Sequence, residues 1–549
     1  MKKIYNSNWR YVPVVLWLLV STGLMAAGVW SWTITWWNLG LLVLILTLST
    51  PIEALKWFLI TLPFMVVIQN FPIANFPMWR VLLVWLFVVV VSKIFIPQIL
   101  AKNFVAFTKK YIVSNLAPWD LWLVVIFIFL LLSNVTAKFP VHGVKQVVYL
   151  LNAYLLYQVF ILVKHTTQDI KMIKAVQSAL LYSLLGTVAL GYIQYALTFY
   201  STPYYFWQYW ATLVSSLYYG QSLGDVLAYS NSWFAAGAGG SSLRMFGIMQ
   251  DTHSFAVIAM FALGLWVILK SKLPQVAENS WWKVLKSQSR EFWLIFVGLC
   301  FAIVAAGTRG VWAAMLVPIV VAVFLWFWQK VLRPYLSFAL FSYGVIVVLF
   351  LISPWISFGL NVLRTYNTND DFLGRATSIY DLEESSNVGR IEIWQNSFKF
   401  ALTEPFGTGY GNFITSVVKD IPNNASYEQI SAEENYRYNL PQKFITAHSL
   451  YLHILVELGL LGVGVFLTLL YFLVKPWIKI FWQPVSQISR HYLLVVSIGL
   501  VLIWLLAYGL FDVTILNERV LLYLMGLLAM LNWAFISQKS GDILKNEYE

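Results

Sequence analysis

Charge is what this sequence lacks. Asp, Glu, Lys and Arg make up 11% of its 549 residues, where a soluble globular chain carries about 25%. That scarcity excludes a string of ordinary soluble domains, of which a chain this long would need about three or four. Cysteine is nearly absent too. Cys300 stands alone, so no internal disulfide can form and cysteine usage says nothing of redox compartment. No repeat of about 20–50 residues is evident. What the chain has is hydrocarbon: 60% of it is hydrophobic and 17% aromatic. Apolar runs of about 18 residues or more recur from end to end, the mark of an all-α polytopic membrane protein lying in a lipid bilayer. The net charge of +12 then reads as lysines and arginines collected in cytoplasmic loops, with no nucleic-acid partner implied.

Fourteen candidate spans lie near 11–30, 32–49, 52–69, 77–96, 119–135, 145–164, 174–199, 252–271, 292–307, 310–329, 335–355, 448–474, 491–510 and 517–537. The first three are so tightly joined that one is open to being re-entrant, which sets the expectation at 12–14 transmembrane helices. The start, "MKKIYNSNWRYVPVVLWLLV", has a basic head but no cleavage signature, and reads as a first transmembrane helix. With the N-terminus inside, the inner loops hold most of the basic residues, Lys102, Lys109, Lys110, Lys164, Lys270, Arg333 and Lys475 among them. The chain divides into N-terminal helices (1–199), an aromatic outer loop (200–251), helices with a hairpin at Arg309 (252–355), a large polar outer loop (356–447) and C-terminal helices (448–549). Within the large loop, "VGRIEIWQNSFKFALTEP" places Ile391, Trp394 and Phe398 at helical spacing, as in an amphipathic helix lying in the outer interface.

Four residues on the outer side are candidates for chemistry. Arg309 sits in "AAGTRGVW" at the tip of a hairpin of two apolar spans. It reads either as an arginine snorkelling to headgroups or as an anion site at a cavity mouth, with Gly307 and Gly310 leaving room for a bulky ligand. Arg390 opens the interfacial helix one turn before Trp394. Arg244 lies in "SSLRMFG". His448 stands where the polar loop becomes an apolar helix, in "FITAHSLYLHILVELGLLG". His453 and Glu457, four apart on that helix, read as a structural pair. In "EPFGTGYGNF", Gly407, Gly409 and Gly411 form no dinucleotide fingerprint. They mark a tight backbone that either approaches a ligand or simply turns. Asp370, Asp371, Asp381, Glu383, Glu384, Glu433 and Glu434 all fall in the long loop and read as solvated surface. No metal site is expected.

"GTRGVWAAM" at a hairpin, "GRIEIWQNSFKFALTEPFGTGYGNF" in a long outer loop and "AHSLYLHILVELGLLG" after it together resemble the bacterial O-antigen ligase and O-antigen polymerase superfamily. "RMFGIMQDTHSFAVIAM" looks like that family's earlier arginine–glycine segment, with His253 where an asparagine is usual. Thr308 stands where serine is frequent and Ser449 where asparagine is. The resemblance implies a GT-C-like fold in the cytoplasmic membrane of a bacterium, its active site facing outward. It implies a metal-independent, inverting glycosyltransferase that needs no cofactor. The donor would be a glycan on polyprenyl (undecaprenyl) diphosphate, and the acceptor a hydroxyl of another glycan, a lipid or a protein. Arg309 and Arg390 would bind the donor diphosphate, and His448 would act on the acceptor hydroxyl. Arg244, Trp394, Gly407, Gly409 and Gly411 would line the substrate. The alternatives are an anion transporter of the same superfamily, a protein O-oligosaccharyltransferase, and a scaffold subunit of an export complex.

Overall fold

The computed structural model describes residues 8–68, 76–102, 118–166, 170–220, 234–237, 240–271, 285–353, 381–383, 385–416, 446–482 and 490–539, with a few single positions between. The protein is an all-α polytopic membrane protein. Each of the fourteen predicted spans holds helix. In chain order these are α1 (Val12–Ala26), α2 (Ile34–Leu48), α3 (Pro51–Thr61), α4 (Met78–Leu100), α5 (Pro118–Ser133), α6 (Pro140–Thr166), α7 (Ile170–Leu197), α8 (Thr252–Lys270), α9 (Arg290–Ala305), α10 (Arg309–Ala314), α11 (Leu316–Trp328) and α12 (Arg333–Leu351). There follow α13 (Ser385–Thr403), α14 (Leu450–Trp482), α15 (Arg490–Tyr508) and α16 (Glu518–Lys539). Among the described residues, 8 helices are long and apolar enough to cross a membrane unaided.

α3 has 11 residues, about 16 Å of helix. It begins on Thr50, whose hydroxyl caps the amide of Glu53, and ends where Pro63 follows. A 3-10 turn at Leu62–Phe64 follows, and then a two-residue pairing of Val67–Ile68 with Phe76–Pro77 ahead of α4.

The helix ends sort into two faces. At one, Lys93 reaches the carbonyls of Thr47 and Ser49, Lys164 donates to the carbonyl of Trp533, and Lys270 meets Tyr182. At the other, Arg80 at the start of α4 pairs with Glu518 at the start of α16, and Arg519 reaches the carbonyl of Met65 and lies over Tyr218. Between them α8 is the central pillar. Phe255, Ala256, Val257, Ile258 and Ala259 are each 0% exposed. Such all-round burial explains why this helix shows no polar stripe. α8 packs on α7, α9 and α15. It therefore delivers its first residues, Asp251 to His253, to the centre of the lysine-poor face.

α13 is the helix expected within the large loop. Ile393, Ser397 and Ala401 are the buried face, packed on α14, while Phe398 is exposed. The set Ile391, Trp394 and Phe398 is distinct from the one packed on α14. Small side chains face α14 because the two helices lie close.

Candidate active site

Arg309 follows a sharp turn. Gly307 takes φ +62°, a conformation that glycine adopts without strain, and Thr308 is extended before α10 begins. The expectation that Gly307 and Gly310 leave room for a ligand is corrected by what fills the space. A Cβ on Gly307 would stand 3.3 Å from the side chain of Arg244, and one on Gly310 would stand 2.8 Å from Phe511 Cβ. Both glycines let protein approach. Arg244 lies buried across the turn, held by Gln194, which donates to its carbonyl (3.1 Å), and by the bond from Met245 N to Ala305 O (2.9 Å). Trp504 Nε1 donates to Val311 O at 3.2 Å and ties α10 to α15.

His448 is fixed from two sides. Its backbone is left-handed, φ 46°, unusual for a residue with a Cβ. On one side, Trp394 Nε1 donates to the carbonyl of Ala447 at 3.0 Å. That bond sets the His448 turn against α13, one helical turn from Arg390. On the other, Leu450 N donates to Gly509 O (2.7 Å) and Tyr451 OH to Leu506 O (2.7 Å), which fastens the start of α14 to the end of α15.

The short connector after α15 carries Asp512, a residue that motif reasoning did not select. Its Oδ1 accepts from Thr514 Oγ1 at 2.6 Å. Its Oδ2 lies 3.2 Å from His253 Nδ1 and 3.7 Å from His448 Nδ1. Tyr508 OH bonds the same His253 nitrogen. Arg390, His448 and Arg309 are all near enough for their charges to act on His253. Burial works against the charge of Asp512. His253, His448 and Thr514 outweigh it and hold the carboxyl well below its ordinary value. Asp251, next to this group, caps α8 by accepting from Ser254 N (2.6 Å) and Ser254 Oγ (3.0 Å). Burial pushes its carboxyl up to about 6 against those bonds.

Arg309, Arg390 and His448 thus come together from sequence positions far apart, around His253, which Asp512 and Tyr508 contact. A signal for Asp512 was present: it is the one acid in the connector "GLFDVTILN" between the last two apolar spans. Among the described residues no group of three His, Cys, Asp or Glu is set to hold a metal ion.

The remaining predicted residues lie beside this group. His453 Nε2 stands 3.4 Å from Glu457 Oε1, as the structural reading had it. The same oxygen accepts from Phe413 N at 3.0 Å, so this pair anchors the glycine-rich turn to α14. The three glycines there have φ of 77°, 89° and 76°. A Cβ on Gly407 would meet Glu457 O at 2.5 Å, one on Gly409 Ala137 Cβ at 2.6 Å, and one on Gly411 Gln146 Cγ at 2.9 Å. Their neighbours are α14, α6 and the chain between α5 and α6. Of the loop acids, Asp381 and Glu383 are exposed. Asp370, Asp371, Glu384, Glu433 and Glu434 lie outside the described residues.

Residues 294–467 match the O-antigen ligase family model. The resemblance read from the three motifs is borne out over that segment, which is similar to that family. The match takes in Arg309, Arg390 and His448 and leaves Arg244, His253 and Asp512 outside it. No curated protein matches the chain.

Proposed function

We propose that this chain transfers a glycan from a polyprenyl diphosphate carrier to an acceptor hydroxyl, without a metal, on the outer side of a bacterial cytoplasmic membrane. The observation that carries the reading is the gathering of Arg309, Arg390 and His448 around His253 at the lysine-poor end of the bundle, with Asp512 facing both histidines.

Each group has a task that suits it. Two guanidinium groups match the oxygens of a diphosphate bidentately and stay charged at any working pH. The acceptor hydroxyl gives its proton to Nε2 of His448, and Asp512 beside Nδ1 favours the tautomer that leaves Nε2 free. The acceptor oxygen then bonds to the anomeric carbon as the bond from that carbon to the diphosphate oxygen breaks. The electron pair leaves with the diphosphate, whose growing charge the arginines stabilise. Attack from the face opposite the leaving group inverts the anomeric centre. Trp394 positions His448 through Ala447. Arg244 braces the Arg309 turn across Gly307. The isoprenoid tail stays in the bilayer, which accounts for an anion site built at the end of membrane helices.

The test is the lipid-linked glycan pool in cells carrying His448→Ala beside wild type. Accumulation of a polyprenyl-diphosphate glycan, with loss of the finished product and normal protein level, supports transfer. Single repeat units in the pool point to polymerisation and full chains to ligation. An unchanged pool sinks the reading.

A further inference from the structure

The O-antigen ligase segment begins after His253, and the transfer mechanism does not use that residue. Yet it is closer to Asp512 than His448 is: 3.2 Å against 3.7 Å, to the same oxygen. We propose that His253 is a positioning residue that gates the base. Neutral, it holds the Asp512 carboxylate in place for His448; protonated, it takes the carboxylate for itself. This rests on the reading of His448 as the base.

A neutral imidazole has one N–H. Beside a carboxylate it sits on the nitrogen that faces the oxygen, here Nδ1 of both histidines. The single Nδ1–H of His253 is shared between Oδ2 of Asp512, 3.2 Å away, and the hydroxyl oxygen of Tyr508, which accepts it, while Thr514 donates to Oδ1. Tyr508 stacks flat on Trp504 with centroids 5.5 Å apart. The carboxylate is thus clamped by α8 and by its own connector, and His448 approaches a fixed acceptor.

A proton on His253 changes this. The charged groups that face it are Asp512 from the connector, Arg390 from α13, His448 ahead of α14 and Arg309 from α10. Tyr508 touches it from α15, and Asp251 lies two residues away on its own helix. A new cation there pairs with Asp512, the shorter contact, and stands beside two guanidinium groups. His448 then loses the carboxylate that faces its Nδ1. The step then requires two neutral imidazoles rather than one.

The experiment measures the pH dependence of transfer by the purified full-length chain in lipid vesicles. The donor is the glycolipid extracted from cells carrying His448→Ala. In the wild type, log kcat/KM falls on the acid side with a slope approaching about two, because two protons each silence the enzyme. His253→Asn keeps an N–H donor and cannot take a proton, so its acid limb has a slope of about one. His253→Ala loses the clamp: kcat drops about tenfold to a hundredfold, with KM for the donor unchanged because both arginines remain. If His253→Ala does not accumulate to wild-type level, His253→Asn alone decides. A His253→Asn profile that overlays the wild type overturns the proposal, as does a wild-type slope of about one. If His448→Ala retains transfer, the reading of His448 as base has failed. If His448→Ala is dead and the His253 profiles are unaltered, only the gate has failed.

Discussion

Trp394→Phe separates holding the histidine from binding the sugar. Trp394 Nε1 donates to the carbonyl of Ala447 at 3.0 Å, and Ala447 is fully buried. Phenylalanine keeps most of the apolar ring and removes the donor. A buried acceptor left without its partner costs about 1–3 kcal/mol. The next residue, His448, has φ 46°, a conformation that itself costs about 1–3 kcal/mol for a residue with a Cβ and persists because its surroundings enforce it. Removing the bond therefore lets the turn relax by about 1–2 kcal/mol, and His448 leaves the position from which it faces Asp512 and the acceptor. At about 1.4 kcal/mol per tenfold in rate, kcat falls about 5- to 30-fold. Arg309 and Arg390 are untouched, so KM for the donor stays. The assay is glycan transfer in vesicles, with kcat and KM resolved, beside Phe398→Ala on the exposed face of α13 as a control at wild-type rate. A Trp394→Phe variant whose KM rises while kcat holds would place the indole against the sugar and refute the positioning argument.

Gly459 breaks α14 with φ 65°, and a Cβ there would sit 2.1 Å from Pro405 O. Gly459→Ala should therefore lose more than about 3 kcal/mol and fail to accumulate. Gly344→Ala has nothing within 4 Å and should express normally on the same blot. Arg309→Lys and Arg390→Lys keep the charge and lose the fork, so each should raise KM for the donor about tenfold or more in the transfer assay. Asp251 has its carboxyl raised to about 6, above the ordinary value of an unfolded chain. The folded state thus holds this proton more tightly, and stability falls as pH rises from about 4 to 6. Asp251→Asn keeps the cap and cannot charge. It should melt higher than wild type at pH about 8, by about 2–3 kcal/mol of stability, with the gain gone near pH about 4. Thermal unfolding of the detergent-solubilised chain at the two pH values decides it.

How much of this was legible in the sequence depended on the distance over which each signal acts. Helix placement follows from hydrocarbon runs about as long as the bilayer is thick, and every span so placed holds helix. The structural pair His453 and Glu457 was legible for the same reason: four residues on one helix share a face. Which residues of α13 meet α14 was not, because that packing is decided by α14. A close partner selects Ser397 and Ala401 over Phe398, and no periodicity within α13 records that. Gly307 and Gly310 misled in the same way. Their small size is a fact of the sequence, but what uses the space is tertiary: Arg244 beside Gly307 and Phe511 beside Gly310. Asp512 shows the limit most plainly. In a chain with 24 acids, the one local mark of this acid is its place in a short connector between two apolar spans, and its partners are not local. Its surroundings come from four other places: Thr514 two residues on, Tyr508 one turn back, His253 at the head of α8 and His448 before α14. Where charge is this scarce, an acid in a short connector between two apolar helices is held at the depth of its neighbours' ends. The groups that can keep it charged there must come from the ends of other helices. The same reasoning that makes Arg309 conspicuous in its hairpin therefore applies to Asp512.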